Sequence, residues 1–171
     1  SIPFNMEADS LNCSMLALDA NPKTEEFKLY VKEVAREMTV KAGQKCTAIR
    51  RCIVPENYIE EFQKALSISL DKVIIGNPTH ESVRMGSLAS ADQLKEVQAK
   101  IEELKQTCEL AYSRHDFEAL GGDKEKGAFI SPHLLICQNP FESQAVHSVE
   151  AFGPVSTVMP YKDHDDAFEL A

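Results

Sequence analysis

A cysteine turns into a strong nucleophile when part of it is thiolate, which requires nearby positive charge or the donors of a helix terminus. Cys46 stands where such chemistry can be placed. A helical pattern runs up to Gly43-Gln44-Lys45-Cys46-Thr47-Ala48, a glycine hinge interrupts it, and a β-like run, Ile49-Arg50-Arg51-Cys52-Ile53-Val54, leaves it. That spacing puts Cys46 at the exit of a turn, on a scaffold stiff enough to aim its sulfur. Lys45, Arg50 and Arg51 are the cations close in sequence. The plainer alternative is a buried cysteine that packs as a small hydrophobe.

The elements that must position the thiol follow from the pattern on either side. Residues 1–12 read as a short strand and a polar turn. Asn21-Pro22 supplies a helix N-cap and first-turn proline, and Phe27, Tyr30, Val31, Val34 and Met38 follow at three- and four-residue steps to about Lys41. Residues 48–54 make a buried strand, and Pro55-Glu56 opens the next helix. Lys72–Ile75 is a short apolar run stopped by Gly76-Asn77-Pro78. Ser90 and Gln93 form a capping box for a helix carrying Leu94, Val97, Ile101 and Leu104. Strands are expected at Cys108–Tyr112, His133–Cys137 and Val155–Tyr161, with a short helix or turn at Glu142–Ser148 and a last helix from Asp165. Alternating helices and short strands favour an α/β layer architecture, with a mostly parallel sheet flanked by helices.

Composition narrows the classes of function. The chain has 171 residues, 43% of them hydrophobic and 26% charged, enough for one domain with a real core. The net charge of −9 disfavours nucleic acid and anionic membranes as partners. No apolar run approaches the ~20 residues that span a bilayer. Five cysteines at wide spacings, without Cys-x-x-Cys, indicate neither a disulfide framework nor a zinc site, and a reducing cytoplasm suits them. The five histidines are dispersed, so no metal site is expected. Both ends look cut: the chain opens in an apolar–polar alternation and closes inside an uncapped helical pattern, as an excised domain does.

Two blocks carry a resemblance. Gly43-Gln44-Lys45-Cys46-Thr47-Ala48 resembles the nucleophile segment of the aldehyde dehydrogenase superfamily, and Glu150-Ala151-Phe152-Gly153-Pro154-Val155 resembles its Glu-x-Phe-Gly-Pro signature. They stand in the family's order and at about its separation. Ile75-Gly76-Asn77-Pro78, Met85-Gly86-Ser87-Leu88, Gly127–Pro132 and Val158–Tyr161 resemble further family elements. The resemblance implies the three-layer catalytic domain of these enzymes over residues 1–171, without the nucleotide-binding part and the C-terminal remainder. It also implies a homo-oligomeric full-length protein and a small aldehyde as substrate. The implied reaction is NAD(P)-dependent oxidation of an aldehyde to an acid through a thiohemiacetal and thioester on Cys46, with the Cys46 backbone N–H as an oxyanion donor. Glu150 would bind a cofactor ribose, and Phe152 would lie against the nicotinamide. Taken alone, these two are a surface carboxylate and a core aromatic.

The general base departs from the pattern. Where the family has Glu-Leu-Gly-Gly-Lys, this chain has Asn5-Met6-Glu7-Ala8-Asp9, and Asn5 falls where glutamate is expected. Glu7 lies two residues on, 39 positions before Cys46, a longer spacing than is typical. In a strand, i and i+2 share a face, so Glu7 can take the base role from a shifted position. The stretch Phe4–Asn12 resembles the dehydrogenase part of the bifunctional ring-opening enzymes of bacterial phenylacetate degradation. In these a fused hydratase-like domain precedes oxidation of a CoA-linked semialdehyde with NADP. Two other readings stay open: a thiol hydrolase pairing Cys46 with His133 or His147, and a non-catalytic assembly module that keeps the fold. The 171-residue piece alone is expected to lack dehydrogenase activity, because most of the cofactor site is absent.

Overall fold

The computed structural model describes residue 3 and residues 10–171. Its sheet has five strands, β1 (Cys13–Met15), β2 (Arg51–Pro55), β3 (Glu109–Tyr112), β4 (His133–Ile136) and β5 (Val155–Tyr161), in the order β1-β2-β5-β4-β3. The pairs β1–β2, β2–β5 and β4–β5 are parallel, and β3 alone runs antiparallel, against β4. Central β5 is buried on both faces, which is why Val155–Tyr161 reads as an apolar run and not as an alternation.

Among the described residues five α-helices cover the sheet: α1 (Glu25–Thr39), α2 (Ile59–Asp71), α3 (Ala91–Leu104), α4 (Ala145–Ser148) and α5 (His164–Leu170). Successive strand residues point to opposite faces, and β2 shows how this divides the core. Cys52 and Val54 pack with Val34, Met38, Phe62 and Leu66 of α1 and α2, whereas Ile53 packs with Val97 and Ile101 of α3 and with Ala167 of α5. Each fully buried Leu or Phe in these layers contributes about 1.5–3 kcal/mol relative to exposure. The result is three layers, helices on both faces of a mostly parallel sheet.

Several local expectations shift. The N-cap of α1 is Thr24, whose hydroxyl accepts from Phe27 N–H at 3.2 Å, and not Asn21. Asn21 closes a turn one step earlier, its side-chain oxygen accepting from Lys23 N–H. β2 begins at Arg51 because residues 45–48 still form a turn, with Ala48 N–H donating to Lys45 O. Ile75 and Gly76 make only isolated bridges, to Met85 and Leu120. Ser90 caps α3 through Gln93 N–H, but the Gln93 amide turns to Glu96 and Gln44, so the return bond of a capping box is not made. The strand expected within residues 1–12 lies mostly outside the described residues, and β1 follows it.

Topology alone assembles the loops that matter. β1, β2 and β5 are adjacent and parallel, about 4.8 Å apart, so the segments entering them must emerge side by side at one sheet edge. Those segments are Ser10–Asn12, Gly43–Arg50 and Glu150–Pro154.

Candidate active site

The loop into β2 is built from unusual backbone. Lys41, Ala42 and Gly43 take φ of 54°, 52° and 69°, three successive left-handed residues that end the helical run of α1 and reverse the chain. Only at Gly43 is a side chain impossible on packing grounds as well. A Cβ there would run into the Gly153 carbonyl oxygen and stand 2.5 Å from its carbon and 2.8 Å from Pro154 N. The loops of Cys46 and Glu150 therefore touch backbone to backbone.

Cys46 sits on this loop with its thiol exposed. Its carbonyl accepts from Ser10 Oγ at 2.9 Å and from Asn12 Nδ2, which also donates to Ala48 O at 3.2 Å. Among the described residues no acceptor takes the Cys46 N–H. Three other cysteines, Cys52, Cys108 and Cys137, are buried, and Cys13 is half-buried. Burial pushes the Cys52 thiol up to about 12. Cys108 and Cys137 lie together, and the contact with Cys137 and burial raise the Cys108 thiol. That pair is closed off in the core, so access singles out Cys46.

The three cations near Cys46 in sequence are committed elsewhere. Lys45 Nζ is 2.7 Å from both carboxylate oxygens of Glu37. Arg51 donates to Leu11 O, Leu170 O and Ala171 O, fastening the end of α5. Arg50 is buried and donates to Gly153 O at 2.6 Å and to Gly43 O at 2.7 Å. Its guanidinium carbon lies 5.4 Å from the centre of the Phe152 ring. Burial lowers the Arg50 pKa, and the charge of Glu150 works against that shift.

Glu150 is turned inward, its side chain 10% exposed. Oε2 accepts from Ser10 N–H at 3.1 Å, while Oε1 lies 3.8 Å from Arg50 Nε and has no hydrogen-bond partner among the described residues. A carboxylate and a half-buried aromatic ring are the side-chain types that would hold a vicinal diol and a flat ring, so in kind Glu150 and Phe152 fit the nicotinamide ribose of a dinucleotide. The structure thus brings together Cys46, Glu150 and Phe152. Glu7 and Asn5 lie outside the described residues. Sequence reasoning missed Ser10, Asn12 and the bridging role of Arg50.

Neither histidine weighed as a partner for the thiol hydrogen-bonds to it among the described residues. His133 Nδ1 meets Ser131 O at 2.8 Å, and burial lowers the His133 pKa. His147 contacts Pro140 O and Arg51. Among the described residues no group of three His, Cys, Asp or Glu side chains is placed to hold a metal ion, and no helix is long and apolar enough to cross a membrane.

The class that the described residues define is a three-layer α/β domain with one exposed cysteine, Cys46, on a loop joined to an inward carboxylate, Glu150, at the entering edge of its sheet. Sequence comparison then places the chain: residues 5–171 match the aldehyde dehydrogenase family, and the chain belongs to it. It is 44% identical, over its whole length and 33% of the relative's, to 3,4-dehydroadipyl-CoA semialdehyde dehydrogenase of Aromatoleum evansii. It is 30% identical to the NADP(+) succinate-semialdehyde dehydrogenase of Deinococcus radiodurans, over 91% of this chain and 30% of that one. The chain thus spans about a third of the length of these relatives. Among solved structures, gamma-glutamyl-gamma-aminobutyraldehyde dehydrogenase of Burkholderia cenocepacia shares the fold, with TM-score 0.76 and 24% identity, over 95% of this chain and 30% of that one. Betaine aldehyde dehydrogenase of Staphylococcus aureus in complex with NAD+ gives TM-score 0.73 at 24% identity, over 84% of this chain and 28% of that one.

Proposed function

We propose that the chain supplies the thiol-bearing catalytic part of an NAD(P)-dependent aldehyde dehydrogenase. The observation that carries the reading is the exposed Cys46, whose loop is joined through Ser10 and Arg50 to the inward Glu150. Cys46 sulfur attacks the aldehyde carbon, and the new oxyanion takes the Cys46 N–H, a donor that costs no reorganisation. A bound nicotinamide would supply the hydride acceptor for the thiohemiacetal carbon, and Glu150 and Phe152 would hold its ribose and ring. The thioester left on Cys46 is opened by water, whose proton passes to Glu7, and the acid departs as the thiolate is restored. Ser10 ties the segment that follows Glu7 to both Cys46 and Glu150, and three residues of chain reach at most about 11 Å.

The substrate reading is a CoA-linked semialdehyde in phenylacetate catabolism. Its support is the 44% identity to an enzyme named for a CoA semialdehyde, together with the Phe4–Asn12 resemblance. NADP or NAD as the cofactor and a homo-oligomeric full-length protein belong to the same proposal. The experiment is aldehyde-dependent NAD(P)H formation by the full-length parent protein. Cys46→Ala should abolish it, and Glu7→Gln should give one burst of NAD(P)H and then stall at the thioester. Wild-type turnover in Glu7→Gln would move the base elsewhere. No oxidation of any aldehyde by the wild type would return the fold to an assembly role.

A further inference from the structure

We propose that Arg50 is a positioning residue that couples the thiol-bearing loop to the carboxylate and ring of the cofactor site. The inference deepens the dehydrogenase reading and rests on it. Two carbonyls, Gly43 O on the Cys46 loop and Gly153 O on the Glu150 loop, converge where the two glycine backbones meet. Crowded carbonyl oxygens repel unless a donor stands between them. Arg50 supplies both donors from one rigid plane, at 2.7 and 2.6 Å. The same guanidinium carries Phe152 on its face and keeps Nε 3.8 Å from Glu150 Oε1.

The side chain is held as tightly as what it holds. Arg50 N–H donates to Asn12 O at 3.0 Å, and Arg50 O accepts from Thr157 N–H at 2.8 Å, so its backbone is fixed between residue 12 and β5. Arg50 is 4% exposed, and its Nε and Glu150 Oε1 are both buried without a hydrogen-bond partner among the described residues. Their charges answer each other across a gap that neither closes. The carboxylate is held in place by that attraction and by the Ser10 N–H on its other oxygen. Lysine keeps the charge but presents no planar fork, so it cannot hold two carbonyls and face a ring together.

The test uses the full-length parent protein and titrates NADP and NAD by calorimetry against Arg50→Lys, Glu150→Gln and the double variant. Each single change should weaken dinucleotide binding about tenfold, the loss of one charge-assisted hydrogen bond. The double should be weakened little further, since both changes act through one carboxylate. KM for the aldehyde should move less than KM for the dinucleotide. Effects that multiply to about a hundredfold in the double, as independent sites do, overturn the coupling. Unchanged affinity in Arg50→Lys beside a weakened Glu150→Gln also overturns it and leaves the cofactor reading standing. Wild-type affinity in Glu150→Gln instead removes the carboxylate from the cofactor site, and the coupling falls with it. Should Arg50→Lys fail to fold, hydrogen exchange on the wild type decides. Dinucleotide binding should slow exchange at Gly43–Cys46 and Ala151–Gly153 together, and protection confined to the second loop overturns the proposal.

Discussion

Replacing Gly43 by alanine adds one methyl group at the point where the two loops touch. The new Cβ would stand 2.5 Å from Gly153 C and 2.8 Å from Pro154 N, whereas ordinary contact begins near 3.4 Å. Both obstacles are backbone, so one loop must retreat by about 1 Å. Alanine at φ near 69° adds about 1–2 kcal/mol, a cost glycine escapes. A retreat taken by one loop alone would stretch an Arg50 bond from 2.7 Å to about 3.7 Å, past hydrogen-bond range. Misplacement of this size at a reacting centre costs about a hundredfold in rate. The assay is kcat/KM for aldehyde oxidation by the full-length protein, with iodoacetamide labelling of Cys46 as a check on the thiol itself. Labelling should persist while turnover falls, because the sulfur stays exposed and only its register with Glu150 is lost. A Gly43→Ala enzyme within about threefold of wild type would refute the reasoning, since a barrier change that small leaves no room for a displaced loop.

Accessibility predicts an order of alkylation in the native protein: Cys46 first, Cys13 more slowly, and Cys52, Cys108 and Cys137 only on unfolding, as peptide mass spectrometry would read. Prompt native labelling of Cys52 would contradict the packed sheet–helix layer. Cys52 also gives a pH dependence. Its folded pKa of about 12 lies above the ordinary 9.0, so the stability it contributes is complete below about pH 9 and is lost as pH rises through about 12. Urea midpoints at pH 8 and pH 10 should therefore differ less in Cys52→Ala than in wild type, and an equal difference would count against that burial.

The fold was largely legible because its signals are local. The apolar steps of α1 at Phe27, Val31, Val34 and Met38 are those of a helix, and β-branched runs bounded by Gly and Pro marked the strands. Asn21-Pro22 misled because an Asx turn and an N-cap use the same residue types, and which one forms depends on where the next hydroxyl lies, here Thr24. Cys46, Glu150 and Phe152 were legible through a shared wording, and the sheet order explains why that wording must meet in space. Arg50 and Arg51 look equivalent in sequence, yet Arg50 ends the incoming loop and clamps two loops while Arg51 opens β2 and fastens α5. Lys45 pairs with Glu37 eight residues back, beyond the reach of any helical spacing rule, so its absorption into that ion pair was invisible. Ser10 and Asn12 read as ordinary turn residues, and only the three-residue β1 that follows brings them beneath Cys46.

The pairing of Cys13 with Arg51 and of Met15 with Ile53 closes residues 16–50 into an excursion that begins and ends at the sheet. Distance along the chain within that excursion is cancelled when the strands zip together. Residues gained or lost in the turn before α1 lengthen the detour without moving either end of it. The 39-residue offset from Glu7 to Cys46 is therefore no measure of their separation in space. A single residue inserted into β1 or β2 is another matter, because it would slip the pairing and turn the incoming loop to the opposite face. The chain can thus tolerate drift in the length of its helical detour and almost none in its two short strands.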